Sequence, residues 1–175
     1  MSTLPDLVPV EQMALPTVVH LVNEFGDEPR RAAGESANPY PQLELPPMVA
    51  ATTDELVALA NRLHPLFADP TKASAALNRL AGATGLAHLL DERCRLVWHR
   101  TTGSDALTAA AVTTLLEFVD SHGPSRLGSC AADACVDVYT DHSQATNRRY
   151  CSPQCQNRTR VARWRNRHTD RERSR

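Results

Sequence analysis

Four cysteines lie close together in the C-terminal third of the chain: Cys130, Cys135, Cys151 and Cys155, spaced C-x4-C-x15-C-x3-C. Thiolate sulfur is a soft ligand. Two tight pairs separated by a loop bring four such donors to one point, the tetrahedral set of a structural zinc site. A disulfide framework is the other use of an even cysteine cluster, and it belongs to secreted chains. Met1 to Pro16 has neither the basic start nor the long apolar run of a secretory signal. The spacing therefore predicts one Zn2+ per chain. Cys94 stands alone in an apolar run and reads as a small buried hydrophobe. His142 and His168 fall outside a sphere that four cysteines already complete.

Behind the last cysteine the chain turns basic. Residues 148–175 hold 10 Arg against Asp170 and Glu172, a net of +8 without one Lys. The formal net charge of -1 hides this: residues 1–125 carry 8 basic against 15 acidic side chains, so -7, and residues 126–175 carry 11 against 5, so +6. Such asymmetry predicts that only the tail meets a polyanion. Arg148, Arg149, Asn157, Arg158, Arg160, Arg163, Arg165 and Arg167 are the candidate DNA contacts, because arginine's fork suits phosphates and guanine edges. On a helical wheel Asn157, Val161, Trp164 and His168 share one face, which should pack on the metal knuckle or the body. Arg160, Arg163 and Arg167 then lie on one flank, the one expected to read bases, and Arg158 and Arg165 lie on the other. Three alternatives stay open. The arginines can serve solubility alone, the module can dock on an acidic protein surface, or it can bind RNA. The last has only Tyr150 and Trp164 as nearby stacking platforms.

The elements that must position these residues follow from periodicity and punctuation. Pro5, Pro9 and Pro16 mark residues 1–16 as a flexible arm. Residues 17–124 read as a helical body. One helix runs from Thr17 to near Gly26, and a long loop follows from Glu28 to Pro47. A second helix starts at Thr52 or Thr53 and is bent or ended early by Pro65; a third opens at Asp69-Pro70-Thr71 and stops at Gly82 and Gly85. Leu86–Leu90 and Cys94–His99, joined by Asp91-Glu92-Arg93, form a β-hairpin. A last long helix runs from Ser104 or Asp105 to Gly123-Pro124. Residues 125–175 form a finger: a knuckle at Cys130–Cys135, a hairpin through Val136, Val138 and Tyr139, then a helix with Cys151 at its start, the order of a treble clef. The fold class is mainly α with a small β-hairpin, α+β, and the two units should have separate cores. Asn23, Arg30 and Arg31, beside the long loop, are candidates for a ligand pocket; for Asn23 a capping or core role stands equally.

Some functions are disfavoured. No phosphate-cradling glycine loop or nucleophile motif is present, and four thiolates leave no open metal position, so an enzyme is not expected. The longest apolar stretch, Ala106 to Val119, is broken by Thr108, Thr113, Thr114 and Glu117, so a cytoplasmic protein without a membrane span is expected.

From Cys130 to about His168 the sequence resembles the CGNR zinc finger family. The carriers are the C-x4-C pair, the segment Arg148-Arg149-Tyr150-Cys151-Ser152-Pro153-Gln154-Cys155 and Asn157-Arg158, followed by a basic helix. Gln156 stands where that family has its namesake Gly. The body resembles, more weakly, the alanine-rich ABATE domain, on His20-Leu21-Val22-Asn23 and Arg95-Leu96-Val97-Trp98. The resemblance implies a bacterial, stress-linked transcription regulator. Its partners would be duplex DNA, RNA polymerase or another transcription protein, and a second copy of itself, with the N-terminal domain sensing a signal or mediating assembly.

Overall fold

A computed structural model describes residues 6–173. Helix α1 (Leu15–Phe25) takes Pro16 in its first turn, where a missing N–H costs nothing, and buries Val18, Leu21, Val22 and Phe25. It gives way at Gly26 to α2 (Asp27–Ala33), so the irregular loop is shorter than the sequence suggests. That loop starts at Gly34, whose left-handed φ of 77° closes α2. Helix α3 (Thr53–Ala68) begins with a capping box between Thr52 and Glu55. It runs on past Pro65, because Leu66 and Phe67 beyond the proline are buried and outweigh one lost backbone bond. Helix α4 (Ala73–Thr84) ends at Gly85, φ 61°, rather than at Gly82. Helix α5 (Ala106–His122) is capped by the Asp105 carboxylate.

These helices share one apolar core in which Leu21, Leu59, Leu63, Phe67, Leu77 and Leu115 are fully enclosed. Strands β1 (Leu7–Pro9), β2 (Ala87–Leu90) and β3 (Leu96–Thr101) make an antiparallel sheet in the order β1-β3-β2. The expected hairpin is there, but it gains a third strand from the stretch expected to be a loose arm. In its described part that stretch pairs Leu7 with Thr101 and buries Met13, whose N–H reaches the Ala110 carbonyl at 3.0 Å. Cys94 is a second correction: it is exposed in the β2–β3 turn with φ 57°, not buried.

Strands β4 (Leu127–Ser129) and β5 (Val138–Thr140) pair antiparallel and lead to the final helix α6 (Pro153–Arg173). The metal knuckle connects these two strands instead of preceding a hairpin. Leu127 and Val138 sit in the same core as α1 and α3, while Cys130, Ala132 and Cys155, with Cys135, Tyr150 and Cys151 against them, form a second, small cluster. Among the described residues no helix is long and apolar enough to cross a membrane.

Candidate metal centre and basic helix

The knuckle between β4 and β5 is held by backbone. The Cys130 N–H donates to Asp137 O at 2.8 Å, and the Cys135 N–H donates to Ala132 O at 3.1 Å. Ala134, at φ 57°, lets the chain reverse between them. The second pair rides on the start of α6. There the Ser152 hydroxyl accepts from the Cys155 N–H at 3.3 Å, and Pro153 fills the first turn. Ala131 N–H donates to Arg149 O at 2.8 Å and so ties one pair to the other.

The four sulfurs meet. Sγ–Sγ distances are 3.8 Å for Cys135–Cys151, 3.6 Å for Cys151–Cys155 and 3.7 Å for Cys155–Cys135. All four ligand atoms lie within 4.8 Å of one another. A tetrahedron with Zn–S bonds of about 2.3 Å has edges of about 3.8 Å, so the set fits one Zn2+. Cys130 and Cys155 are buried and the other two half-buried. Burial pushes the Cys135 thiol up to about 12 and the Cys151 thiol higher still. Against its burial, hydrogen bonds from Ser152 and the neighbouring thiols instead hold Cys155 down, so Cys135 and Cys151 are the two that carry thiolate charge only against a cation. Around them, Arg158 Nη2 donates to Cys155 Sγ at 3.4 Å and an Asp137 carboxylate oxygen lies 3.4 Å from Cys151 Sγ.

Arg148, expected on DNA, is occupied as a staple. Its guanidinium donates to the carbonyls of Tyr150, Thr140 and Cys151 at 3.0, 3.0 and 2.5 Å and lies 4.8 Å above the Tyr139 ring. The Tyr139 hydroxyl returns a bond to Arg148 O at 2.6 Å. Gly128, across from Tyr139 on β4, leaves room for that ring, since a Cβ there would stand 2.6 Å from it. Asp141 completes the corner by accepting from the Ser143 and Arg148 amides at 2.8 and 3.0 Å. Hydrogen bonding from Ser143, outweighing burial and joined by the Arg148 amide and the Arg126 charge, holds this carboxyl down at about 2.

The remaining basic residues are differently placed. The side chains of Arg149, Arg160, Arg163 and Arg167 are exposed and make no hydrogen bond or ion pair among the described residues; Arg165 and Asn157 are also exposed. The buried side of α6 is Cys155 and Thr159, with Ala162 half-buried. The face expected to be buried is therefore the outer one: Val161 is 43% and Trp164 55% exposed. The reason is that the cysteine itself sets the helix's rotation, and Asn157, Val161 and Trp164 fall on the side opposite Cys155 at about 100° per residue.

Asn23, Arg30 and Arg31 do not come together. The Asn23 amide accepts from Val138 N–H at 2.7 Å and donates to Val138 O at 3.1 Å, pairing with β5 as a strand residue would. Buried Arg30 donates to the carbonyls of Glu24, Glu35 and Asn38 at 3.1, 2.7 and 2.5 Å and lies 4.2 Å over the Tyr40 ring, shaping the loop after α2. Arg31 alone opens on a cavity of about 470 Å³, with Asp27, Glu28, Asn61 and His64. From that cavity His64 Nε2 reaches Val136 O at 3.1 Å, a second link between body and knuckle. Sequence reasoning missed Asp141, although an Asp two residues before a Ser is a readable Asx-turn signal. The roles of Tyr139 and His64 had no such local sign.

Residues 126–168 match the family model of the CGNR zinc finger. The match takes in the four cysteines, the Arg148 staple and the described side chains of α6, and leaves the helical body outside it. Comparison of the chain with curated proteins returns no match.

Proposed function

We propose that this protein is a DNA-binding transcription regulator whose zinc-held, treble-clef-like finger presents α6 to duplex DNA. The observation that carries the reading is the set of exposed arginines, Arg149, Arg160, Arg163 and Arg167, whose side chains have no partner among the described residues, on and beside a helix anchored through the metal ligands at its start. Unpaired surface guanidinium groups on a rigid support are what phosphate recognition requires, and a body of net charge -7 keeps the rest of the chain away from a polyanion. Arg148 supports the helix from within rather than contacting DNA, and exposed Arg158 also donates to Cys155 Sγ. The ABATE-like body is the sensing or assembly part, joined to the finger by the Asn23–Val138 and His64–Val136 hydrogen bonds. Binding to duplex DNA is tested by salt titration. Four to five phosphate contacts give a slope of log K against log salt of about -3.6 to -4.5 at ~0.9 per contact. A flat salt response, or stronger binding to single-stranded RNA, overturns the reading.

A further inference from the structure

Beyond its first two turns α6 stands clear of the body, and its sides differ in chemistry. Cys155 and Thr159 define the anchored side. Opposite them, at about 100° per residue, lies a neutral stripe of Asn157, Val161, Trp164 and His168. Between stripe and anchor run two basic flanks, Arg160, Arg163 and Arg167 on one and Arg158 and Arg165 on the other. Gln156 opens the first flank and shares a cavity of about 620 Å³ with Arg149, which extends that flank toward the knuckle. The Trp164 and His168 rings already lie against each other, tilted by 60° with centroids 4.2 Å apart.

A surface that is neutral along its crest and positive on both sides is complementary to a groove with a neutral floor and two negative ridges. The major groove of duplex DNA, ~12 Å wide, takes a helix of ~10–12 Å diameter and has that charge pattern. A second copy of α6 does not fit, since it would bring arginine flanks against arginine flanks.

We propose that α6 enters the major groove with Asn157, Val161, Trp164 and His168 toward the base edges and the arginine flanks on the two phosphate ridges. Base reading thus belongs to the stripe, and the Arg160, Arg163 and Arg167 flank positions without specifying. Asn157 matches the adenine N6/N7 edge, and Val161 and Trp164 match thymine methyl groups, so the site contains A·T pairs under the helix. Asn157 to His168 spans ~16 Å, or about five base pairs.

This rests on the DNA reading above, and the test separates the two. Duplexes with a randomised core are selected with the full-length zinc-loaded protein and with Asn157→Ala, Trp164→Ala and Arg160→Ala/Arg163→Ala/Arg167→Ala variants. Zinc content and helicity are measured on each. The expected result is that Asn157→Ala loses discrimination for adenine at one position by roughly 5- to 150-fold with an unchanged salt slope. Trp164→Ala relaxes a neighbouring thymine. The triple variant weakens all sequences alike, and its slope is shallower by ~2.7. Base preferences that survive both stripe variants, or vanish in the flank variant, overturn the proposed orientation while DNA binding stands. Failure of the unaltered protein to bind any duplex removes the DNA reading itself.

Discussion

The two halves of the cysteine module are built on different physics. The β4–β5 half is held by carbon and backbone: Leu127 is 2% and Val138 1% exposed, inside a core they share with α1 and α3, and Asn23 completes β5. The α6 half buries little beyond Cys155 and Thr159, and its orientation hangs on sulfur. So the metal does not hold a miniature domain together. It fastens a projecting basic helix to a hairpin that the body already holds.

Removing the metal should separate the two halves most strongly. Chelation, or Cys155→Ser, should free α6 and the knuckle, since structural zinc supplies on the order of 10 kcal/mol to the elements it joins. Amides of residues 127–129 and 138–140 should stay protected in hydrogen exchange while those of 153–168 lose protection. Loss of both together would show that metal, not the body's core, holds the hairpin. Leu127→Ala tests the same division from the carbon side. A large-to-small change in a closed core costs about 2–5 kcal/mol, or roughly 5–15 °C in the midpoint of a chain this size. Zinc stoichiometry should remain near one, and an unshifted midpoint would place the hairpin outside the core.

Asn23→Ala is the next smaller effect. It leaves both the N–H and the C=O of Val138 without their partner, at about 2–4 kcal/mol for two buried backbone groups. If Asn23 instead served a ligand pocket, the protein would be nearly as stable without its amide. Thermal unfolding of the purified variant decides between them.

The metal site was legible because its chemistry is local: four cysteines, Ser152 as cap and Pro153 in the first turn state where the ligands go within 26 residues. Helix limits at Thr52, Asp105 and Gly123 were legible for the same reason, since caps act on their own backbone. What sequence could not supply was long-range partnership. Asn23 and Val138 are 115 residues apart, and His64 and Val136 are 72 apart, so nothing in either neighbourhood announces the contact. The wheel grouped the α6 side chains correctly but could not say which side faced inward. Apolar Val161 and Trp164 suggested themselves, whereas the anchored side had already been set by Cys155. Arg148 shows the converse gap: the sequence displays its charge but not the three carbonyls that hold it.

Asp141 lies where the two halves join, just after β5 and ahead of the segment that leads to Cys151, and it gives the smallest predicted effect. Its folded pKa of about 2 is below the ~3.9 of an unfolded aspartate. A depressed carboxylate adds stability above the unfolded value, and that stability is lost as pH falls through the folded one. Asp141→Asn should therefore lower stability by at most about 2 kcal/mol at pH 7. The gap between the two proteins should close between roughly pH 4 and pH 2 as the native carboxylate takes up its proton. Acid also releases the metal by protonating thiolates, but that moves both proteins together, so the difference between their unfolding curves isolates Asp141. Because Asp141 accepts from both the Ser143 and Arg148 amides, the substitution should also loosen the Arg148 staple, weakening protection of residues 148–151 more than that of 127–129. Equal loosening of both segments would mean that the corner belongs to the hairpin alone and that the boundary between the halves lies beyond Arg148.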